Sequence, residues 1–355
     1  MRGAIPNFAG IVSKTDLIDL ACRDDVRSRL VVRDGRTWET AEGPFSRARL
    51  RRLPPRNWSL LVHDVNHFVP GAQALLDRFS FIPYARLDDL MISYAPPGGG
   101  VGPHFDSYDV FLLQGSGRRR WQISQQSDRS LIADAPLKLL RTFRSEQEWL
   151  TDPGDLLYLP PGCAHNGVAI DECMTYSIGF RAPAWQELAI HFLRFLEDRI
   201  QLTGLYEDPE LKLQRGPAGI GRNMLERVTE QLEAVRWKSD DVAQFLGAYL
   251  TEPKSHVYFT APERRMTRAT FAERARANGV ALEAKTQMLY QGDRFFINGD
   301  ATHIKGRARE TLRQLADRRS LATLDSSQRG LVTLLHEWYE AGWLRIRPRR
   351  ANLGG

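Results

Sequence analysis

GGGVGPHFDSYDVFLLQGSGRRRW, residues 98–121, is the segment from which the rest of the sequence is best interpreted. It places His104 and Asp106 just before the apolar run Val110 to Leu113, which is typical of a buried strand. Residues i and i+2 of a strand point to the same side, so the imidazole and the carboxylate converge. The pattern predicts that these two side chains share one site.

A third candidate ligand follows 61 residues later (165 − 104). The segment DPGDLLYLPPGCAH is predicted to be a strand that ends at His165. Two histidines and one carboxylate form the facial triad of non-haem Fe(II) oxygenases, which leaves metal positions open for a co-substrate and O2. Metal-dependent hydrolases also keep an open position for water, so the triad alone does not separate the two classes.

The arginines that follow favour the oxygenase. Alternation along the predicted strand places Arg119 on the inner, apolar face, and Arg118 and Arg120 on the outer face. A buried cation is unfavourable without an anion, and the neighbouring sequence offers no obvious acidic partner. The far carboxylate of 2-oxoglutarate would pair with Arg119, while its keto-acid end would chelate the iron. The sequence therefore predicts 2-oxoglutarate as co-substrate.

Three segments together resemble the bacterial ribosomal oxygenases: LMISYAPPGGGVGPHFDSYDVFLLQGSGRRRW, PGDLLYLPPGCAHNG and MTYSIGFRAP. The motif resemblance is continuous from about Leu90 to Pro183. Members of this family are JmjC-type enzymes of cupin fold that use Fe(II), 2-oxoglutarate and O2 to hydroxylate a ribosomal-protein side chain. The bacterial members hydroxylate an arginine of the large-subunit ribosomal protein numbered sixteen.

The resemblance implies the same activity for this chain, an arginine 3-hydroxylase type of reaction on a ribosomal protein. His104, Asp106 and His165 would then be the iron ligands. Ser93 would contact the 2-oxoglutarate carboxylate beside Arg119. A histidine hydroxylase or a lysine demethylase on the same scaffold is an alternative. A non-catalytic cupin that regulates by binding nucleic acid is a rival from another class, and the triad with Arg119 argues against it.

The fold class is predicted to be α+β, with three domains along the chain. Residues 1–183 would form a double-stranded β-helix, the cupin or JmjC jelly roll, with an N-terminal lead-in. Apolar residues at helical spacing predict a helical dimerisation region over 184–253, and the family carries one in this place, so we expect a homodimer. A hairpin at MLYQGDRFFIN and two helices predict a winged-helix-like domain over 254–355. The polar insertion from Gln125 to Leu150 is interpreted as a loop that acts as a lid.

Length and composition set limits on location and partners. A chain of 355 residues is long enough for two or three domains. No apolar run approaches the roughly 18 residues of a membrane span, and there is no signal-peptide core. The three cysteines show no metal-finger spacing, so we expect reduced thiols in a cytoplasmic protein. A net charge of +6 suits an RNA-rich partner or merely an arginine-rich composition. We expect nucleic-acid contact only through the ribosome.

Overall fold

Two antiparallel β-sheets form the N-terminal half of the chain in the computed structural model, which describes residues 1–35, 37–209, 211–213 and 215–348. Within these ranges the larger sheet has seven strands, in the order β2-β1-β3-β4-β11-β6-β9, and the smaller has four, in the order β5-β10-β7-β8. The strands are β1 Ser28–Asp34, β2 Thr37–Glu42, β3 Trp58–Val62, β4 Leu87–Ala95, β5 His104–Phe105, β6 Val110–Ser116, β7 Arg119–Ser124, β8 Gln147–Thr151, β9 Leu156–Leu159, β10 Ala164–Ala169 and β11 Cys173–Phe180. This pair of sheets is the predicted double-stranded β-helix.

Strict alternation gives the larger sheet two different faces. β11 lies between β4 and β6, and all eight of its residues are buried. One face carries the apolar side chains of the main core, with Ile92, Tyr176 and Ile178 among those that are fully buried. Burying one such aliphatic side chain contributes about 1.5–3 kcal/mol. The other face carries small and polar residues. Thr175 on this face lies opposite Ser93 of β4 and opposite Gln114 of β6.

Short helices cover the apolar face of the larger sheet. They are α1 Lys14–Ala21, α2 Arg47–Arg51 and α3 Ala72–Leu76, with 3-10 turns at Val65–His67 and Asp77–Phe79. α1 begins with a capping box, in which the Ser13 hydroxyl accepts from the Asp16 N–H and the Asp16 carboxylate accepts from the Ser13 N–H. Leu17, Leu20 and Ala21 of α1 are buried in the main core. The helix therefore shields the apolar face from water.

The C-terminal half alternates helices with short strands, as the sequence predicts. Its elements are α4 Trp185–Glu197, α5 Arg222–Glu233, α6 Ser239–Thr251, α7 Arg268–Asn278, β12 Val280–Leu282, β13 Met288–Gln291, β14 Arg294–Ile297, β15 Asp300–His303, α8 Arg307–Arg318, β16 Ser320–Leu321, α9 Arg329–Glu340 and β17 Leu344–Ile346. β13 and β14 form the predicted hairpin, with Gln291 opposite Arg294. Their partner β15 completes one small sheet, and β16, β12 and β17 form another.

Packing divides the chain into two compact units. The first comprises Met1–Ala182, Pro253–Thr286 and Asp317–Gly355, and the second comprises Pro183–Glu252 and Gln287–Ala316. The division into contiguous domains at 183 and 253 stays a prediction. No helix within the described ranges combines the length and the hydrophobicity that crossing a bilayer requires.

In the second unit, α6 packs against the sheet of β13, β14 and β15. The contact is close at Gly247, where a Cβ atom would lie 2.3 Å from the Phe296 ring. Phe192 and Phe245 pack edge to face with ring centroids 5.3 Å apart, which joins α4 to α6. All twelve residues of α5 are described, and none of them is buried. α5 therefore presents an apolar side to solvent in the isolated chain.

Candidate metal centre and co-substrate pocket

A cavity of about 280 Å³ lies between the two sheets of the jelly roll. The polar face of the larger sheet supplies one wall, and β5, β7 and β10 of the smaller sheet supply the other. Its lining includes Ser93, His104, Asp106, Arg119, His165 and Thr175. The cavity therefore contains every residue that the sequence predicts for the metal and the co-substrate.

The three candidate metal ligands come together because β5 pairs with β10. His104 lies directly opposite His165 in that pair, and Asp106 follows at the end of β5. One ligand atom from each residue lies within 4.8 Å of the other two. The His165 Nε2 atom is 3.8 Å from Asp106 Oδ2, and the two imidazole centroids are 4.2 Å apart. The predicted convergence of the three side chains is confirmed.

Backbone carbonyl groups orient both imidazoles. The Nδ1 atom of His104 lies 2.9 Å from the Gly102 carbonyl oxygen, and that of His165 lies 3.0 Å from the Cys163 carbonyl oxygen. A carbonyl can only accept, so each Nδ1 carries the proton and each Nε2 keeps its lone pair for a metal. This arrangement fixes the tautomer and the ring direction before any metal binds.

The electrostatics of the triad also fit a divalent cation. Burial lowers the pKa of His165 to about 3, so its imidazole is neutral at physiological pH. Burial raises the pKa of Asp106, against the opposing effects of His104 and a Tyr108 hydrogen bond. A cation between these groups would stabilise the ionised form of the Asp106 carboxylate and so offset the free-energy cost of burying that charge. Two neutral imidazoles and one carboxylate are a donor set that suits Fe(II).

Arg119 lies on the inner face of β7, as predicted. Its side chain is only 4% exposed, whereas Arg118 and Arg120 are both exposed. Within the described residues no carboxylate pairs with Arg119, and its Nε atom has no hydrogen-bond partner. Its Nη2 atom has only a long contact, 3.7 Å, with the Cys173 sulfur. A buried guanidinium with free donors fits an anionic ligand of the cavity.

Hydroxyl groups surround the same part of the cavity. Ser93 is 6% exposed and lies opposite Thr175, whose hydroxyl donates to the Gln114 side-chain oxygen at 3.1 Å. The hydroxyl of Ser59, on β3, is buried without a hydrogen-bond partner among the described residues. A carboxylate that enters here meets the Arg119 cation and can accept from the Ser93 and Ser59 hydroxyls, which is the environment predicted for the far end of 2-oxoglutarate.

Comparison with known proteins assigns the family. A model of the JmjC domain matches residues 74–188, and a model of the ROXA-like winged helix matches residues 234–345. The ribosomal protein uL16 3-hydroxylase of Escherichia coli (strain K12) is 35% identical over 264 residues, which span 74% of this chain and 70% of that protein. This chain belongs to the bacterial ribosomal oxygenases of the JmjC family.

Solved structures extend the similarity over nearly the whole ribosomal oxygenase. An X-ray structure of E. coli YcfD aligns with a TM-score of 0.87. A second YcfD structure, in complex with cobalt and 2-oxoglutarate, aligns with a TM-score of 0.84. Both are 30% identical to this chain, and the alignments cover 98% of it and 94% of YcfD. The predicted fold, a jelly roll followed by helices and a winged helix, is confirmed.

Four charged residues of the cavity were not predicted from the sequence of this ribosomal oxygenase: Arg27, Asp88, Asp89 and Lys254. Asp89 accepts a hydrogen bond from the Asp64 N–H at 3.2 Å, and its Oδ2 atom lies 3.7 Å from His63 Nδ1. The sequence does contain the information for Asp89, because Asp89 and Ser93 are four residues apart on β4 and therefore point to the same side of the strand. Lys254 is distant in sequence from all of the other lining residues, and no local pattern marks it.

Proposed function

We propose that this ribosomal oxygenase is an Fe(II)- and 2-oxoglutarate-dependent dioxygenase that hydroxylates an arginine side chain of ribosomal protein uL16. The observation that carries the proposal is one cavity that holds a two-histidine, one-carboxylate triad together with the buried, unpaired Arg119. The uL16 3-hydroxylase of E. coli, of which the chain spans 70%, supports the choice of substrate. With Fe(II), O2 and 2-oxoglutarate bound, oxidative decarboxylation to succinate supplies the oxidant for an aliphatic C–H bond.

The protein residues would bind and orient the reactants. His104 and His165 offer their Nε2 lone pairs to iron, and Asp106 offers the negative charge that offsets the cation. Arg119 and Ser93 take the far carboxylate of 2-oxoglutarate, and the guanidinium fork allows two parallel hydrogen bonds. The YcfD complex with cobalt and 2-oxoglutarate supports a metal and this co-substrate, and the donor set favours iron as that metal.

An arginine substrate fits the charge at the other end of the cavity. Asp89 is 9% exposed, and no lysine or arginine of the described residues lies within 4.0 Å of its carboxylate. Tyr108 also lines the cavity, is exposed, and offers an aromatic wall. A guanidinium would pair with Asp89 and contact the ring, worth about 0.5–2 kcal/mol for the cation–π part. This anionic end favours arginine over the neutral imidazole of a histidine substrate.

The substrate is tested with a peptide of uL16 that contains the candidate arginine. Recombinant protein with Fe(II), 2-oxoglutarate and O2 is expected to add a single oxygen atom to that arginine, located by fragmentation mass spectrometry. A peptide with histidine at the same position is the control and is expected to stay unmodified. Oxygen on histidine instead of arginine would move the protein to the histidine hydroxylases, and loss of a methyl group from a methyl-lysine peptide would make it a demethylase.

We further propose that the chain forms a homodimer through its helical region, residues 184–253. The exposed side chains of α5 support this, because Leu225 and Leu232 are 61% and 63% exposed and lie on one side of the helix with Val228. Large exposed apolar patches mark interaction surfaces.

We also propose that residues 1–183 are the catalytic domain and that residues 254–355 are the winged-helix domain. Since ribosomes are its targets, we propose a cytoplasmic enzyme that meets RNA only through the ribosome.

The dimer predicts a clear effect of charge on α5. Leu225→Glu combined with Leu232→Glu is expected to give a monomer at micromolar concentration in light scattering, because two carboxylates cannot be buried in an apolar interface. Glu230→Lys, on the opposite side of α5, is the matched control and should remain dimeric. A monomeric unaltered protein, or a double variant that still forms the dimer, would contradict the assignment.

A further inference from the structure

Lys254 is a charged residue of the cavity that the proposed reaction does not yet use. It lies beyond α6, inside the winged-helix match and far outside the JmjC match, which ends at residue 188. Its side chain nevertheless lines the cavity that holds the metal triad. The Nζ atom donates to Asp64 Oδ1 at 2.7 Å and lies 3.1 Å from Asp88 Oδ1. A residue from outside the JmjC match therefore completes one wall of the site.

Asp64 links Lys254 to the carboxylate proposed to bind the substrate. It is 2% exposed, and both of its carboxylate oxygens are used, Oδ1 by Lys254 and Oδ2 by His256 Nε2 at 3.0 Å. Burial acts to raise the pKa of Asp64, but the Lys254 ammonium together with His67 and His256 outweighs it, and the pKa is lowered. In this position the Asp64 N–H donates to Asp89 Oδ2 at 3.2 Å. Lys254 therefore holds the residue that orients Asp89.

Asp88 is neutralised by the same ammonium. Its Oδ1 atom lies 3.1 Å from Lys254 Nζ and 3.4 Å from Arg181 Nε, so it already has two cationic partners. Asp89, by contrast, has no lysine or arginine within 4.0 Å among the described residues. The cavity thus presents one oriented carboxylate toward an incoming group, with His63 Nδ1 at 3.7 Å and with the Lys254 ammonium acting on it only from beyond ion-pair distance.

We propose that Lys254 is a positioning residue that makes the site selective for a guanidinium cation. The inference rests on the proposed arginine hydroxylation. Without the ammonium, the buried Asp64 carboxylate must take up a proton or move toward water, because an unpaired buried charge is unstable. Either change disturbs the N–H that orients Asp89 and releases Asp88 from one partner. Ser93 lies four residues from Asp89 along β4, about 13 Å, so co-substrate binding is preserved.

The test compares two peptides that differ only in charge, one with the substrate arginine and one with citrulline in its place. The ratio of their kcat/KM values measures recognition of the cation. Lys254→Met is expected to lower this ratio about tenfold or more, since a tenfold change corresponds to loss of about one oriented ionic contact. The KM for 2-oxoglutarate should stay within about twofold, and Lys254→Arg should keep the ratio of the unaltered protein. A loss of fold alone would lower both kcat/KM values together.

Controls separate this inference from the proposed function. Lys285→Met removes an ammonium from the same unit, outside the metal cavity, and should leave the ratio unchanged. If Lys254→Met does not fold, Lys254→Gln decides, because it is polar but removes the charge that keeps the buried Asp64 carboxylate ionised, and the ratio is again expected to fall about tenfold or more. An unchanged ratio in a folded variant overturns the inference, as does failure of both neutral variants to fold while Lys254→Arg folds. No oxygen on arginine with the unaltered protein removes the proposed function and this inference with it.

Discussion

His104→Ala, Asp106→Ala and His165→Ala are each expected to abolish metal binding and the formation of succinate from 2-oxoglutarate. The three ligand atoms lie within 4.8 Å of one another, and two remaining ligands do not define a facial site. Loss of an outer-shell partner of a metal ligand already costs about 10–100-fold in affinity or activity, so loss of a ligand should cost at least about a hundredfold. Asp106→Ala also removes the only charge that the triad offers to the cation.

Metal binding is measured directly, by titration with Co(II) followed through its visible absorption, so that the result does not depend on turnover. His303→Ala is the matched control, because His303 is half-exposed on β15 and pairs only with Asp293 among the described residues. It should bind Co(II) like the unaltered protein. Thermal unfolding shows whether each variant is folded, which is needed for His165, whose ring packs 6.0 Å from Trp121. Normal Co(II) binding by any triad variant would take that residue out of the ligand set.

Arg119→Ala is expected to raise the 2-oxoglutarate concentration required for half-maximal turnover by roughly thirtyfold to several thousandfold. Removing one partner of a desolvated charge pair typically costs about 2–5 kcal/mol, and Arg119 has no other anion in the described part of the chain. Metal binding should stay normal, because Arg119 does not belong to the triad. The half-maximal concentration is obtained from succinate formation at saturating peptide, and Co(II) titration checks the metal site.

The neighbouring arginines provide the matched controls for that experiment. Arg118 is exposed and pairs with Asp171 at 2.9 Å, and Arg120 is exposed on the outer face of β7. Arg118→Ala and Arg120→Ala should each change the 2-oxoglutarate requirement by no more than about threefold, because exposed ion pairs contribute about 0–1 kcal/mol. A strong effect of either control, with Arg119→Ala nearly normal, would mean that a different arginine binds the co-substrate.

Local periodicity was sufficient to predict much of the site. Alternation with period two identified the inner position of Arg119. Applied to β4, the same rule would also have predicted that Asp89 faces the cavity. Lys254 follows Asp89 by 165 residues (254 − 89), and only the tertiary fold brings both to one cavity. No pattern confined to a strand or helix contains that information.

The polar insertion after Gln125 contains a strand that the sequence does not predict. It was interpreted as a loop as far as Leu150, but its last residues form β8 and pair with β7, where Trp149 lies opposite Trp121. β8 is an edge strand, and its first four residues are exposed, so it lacks the alternation that identifies a half-buried strand. The strand depends on its neighbour for its structure and leaves no periodic signal of its own.

The seven-stranded sheet has a consequence for how this protein can be dissected. The JmjC match begins at residue 74, and β3 lies upstream of that point. β3 nevertheless pairs with β4, which lies inside the match, so that Leu61 is opposite Ser93. A fragment cut at the limits of the match would turn β4 into a free edge, with unpaired N–H and C=O groups along the strand that carries Ser93 and Asp89. Such edges recruit strands from other molecules and lead to aggregation. The unit recognised by sequence similarity is therefore smaller than the unit that can fold and stay dispersed.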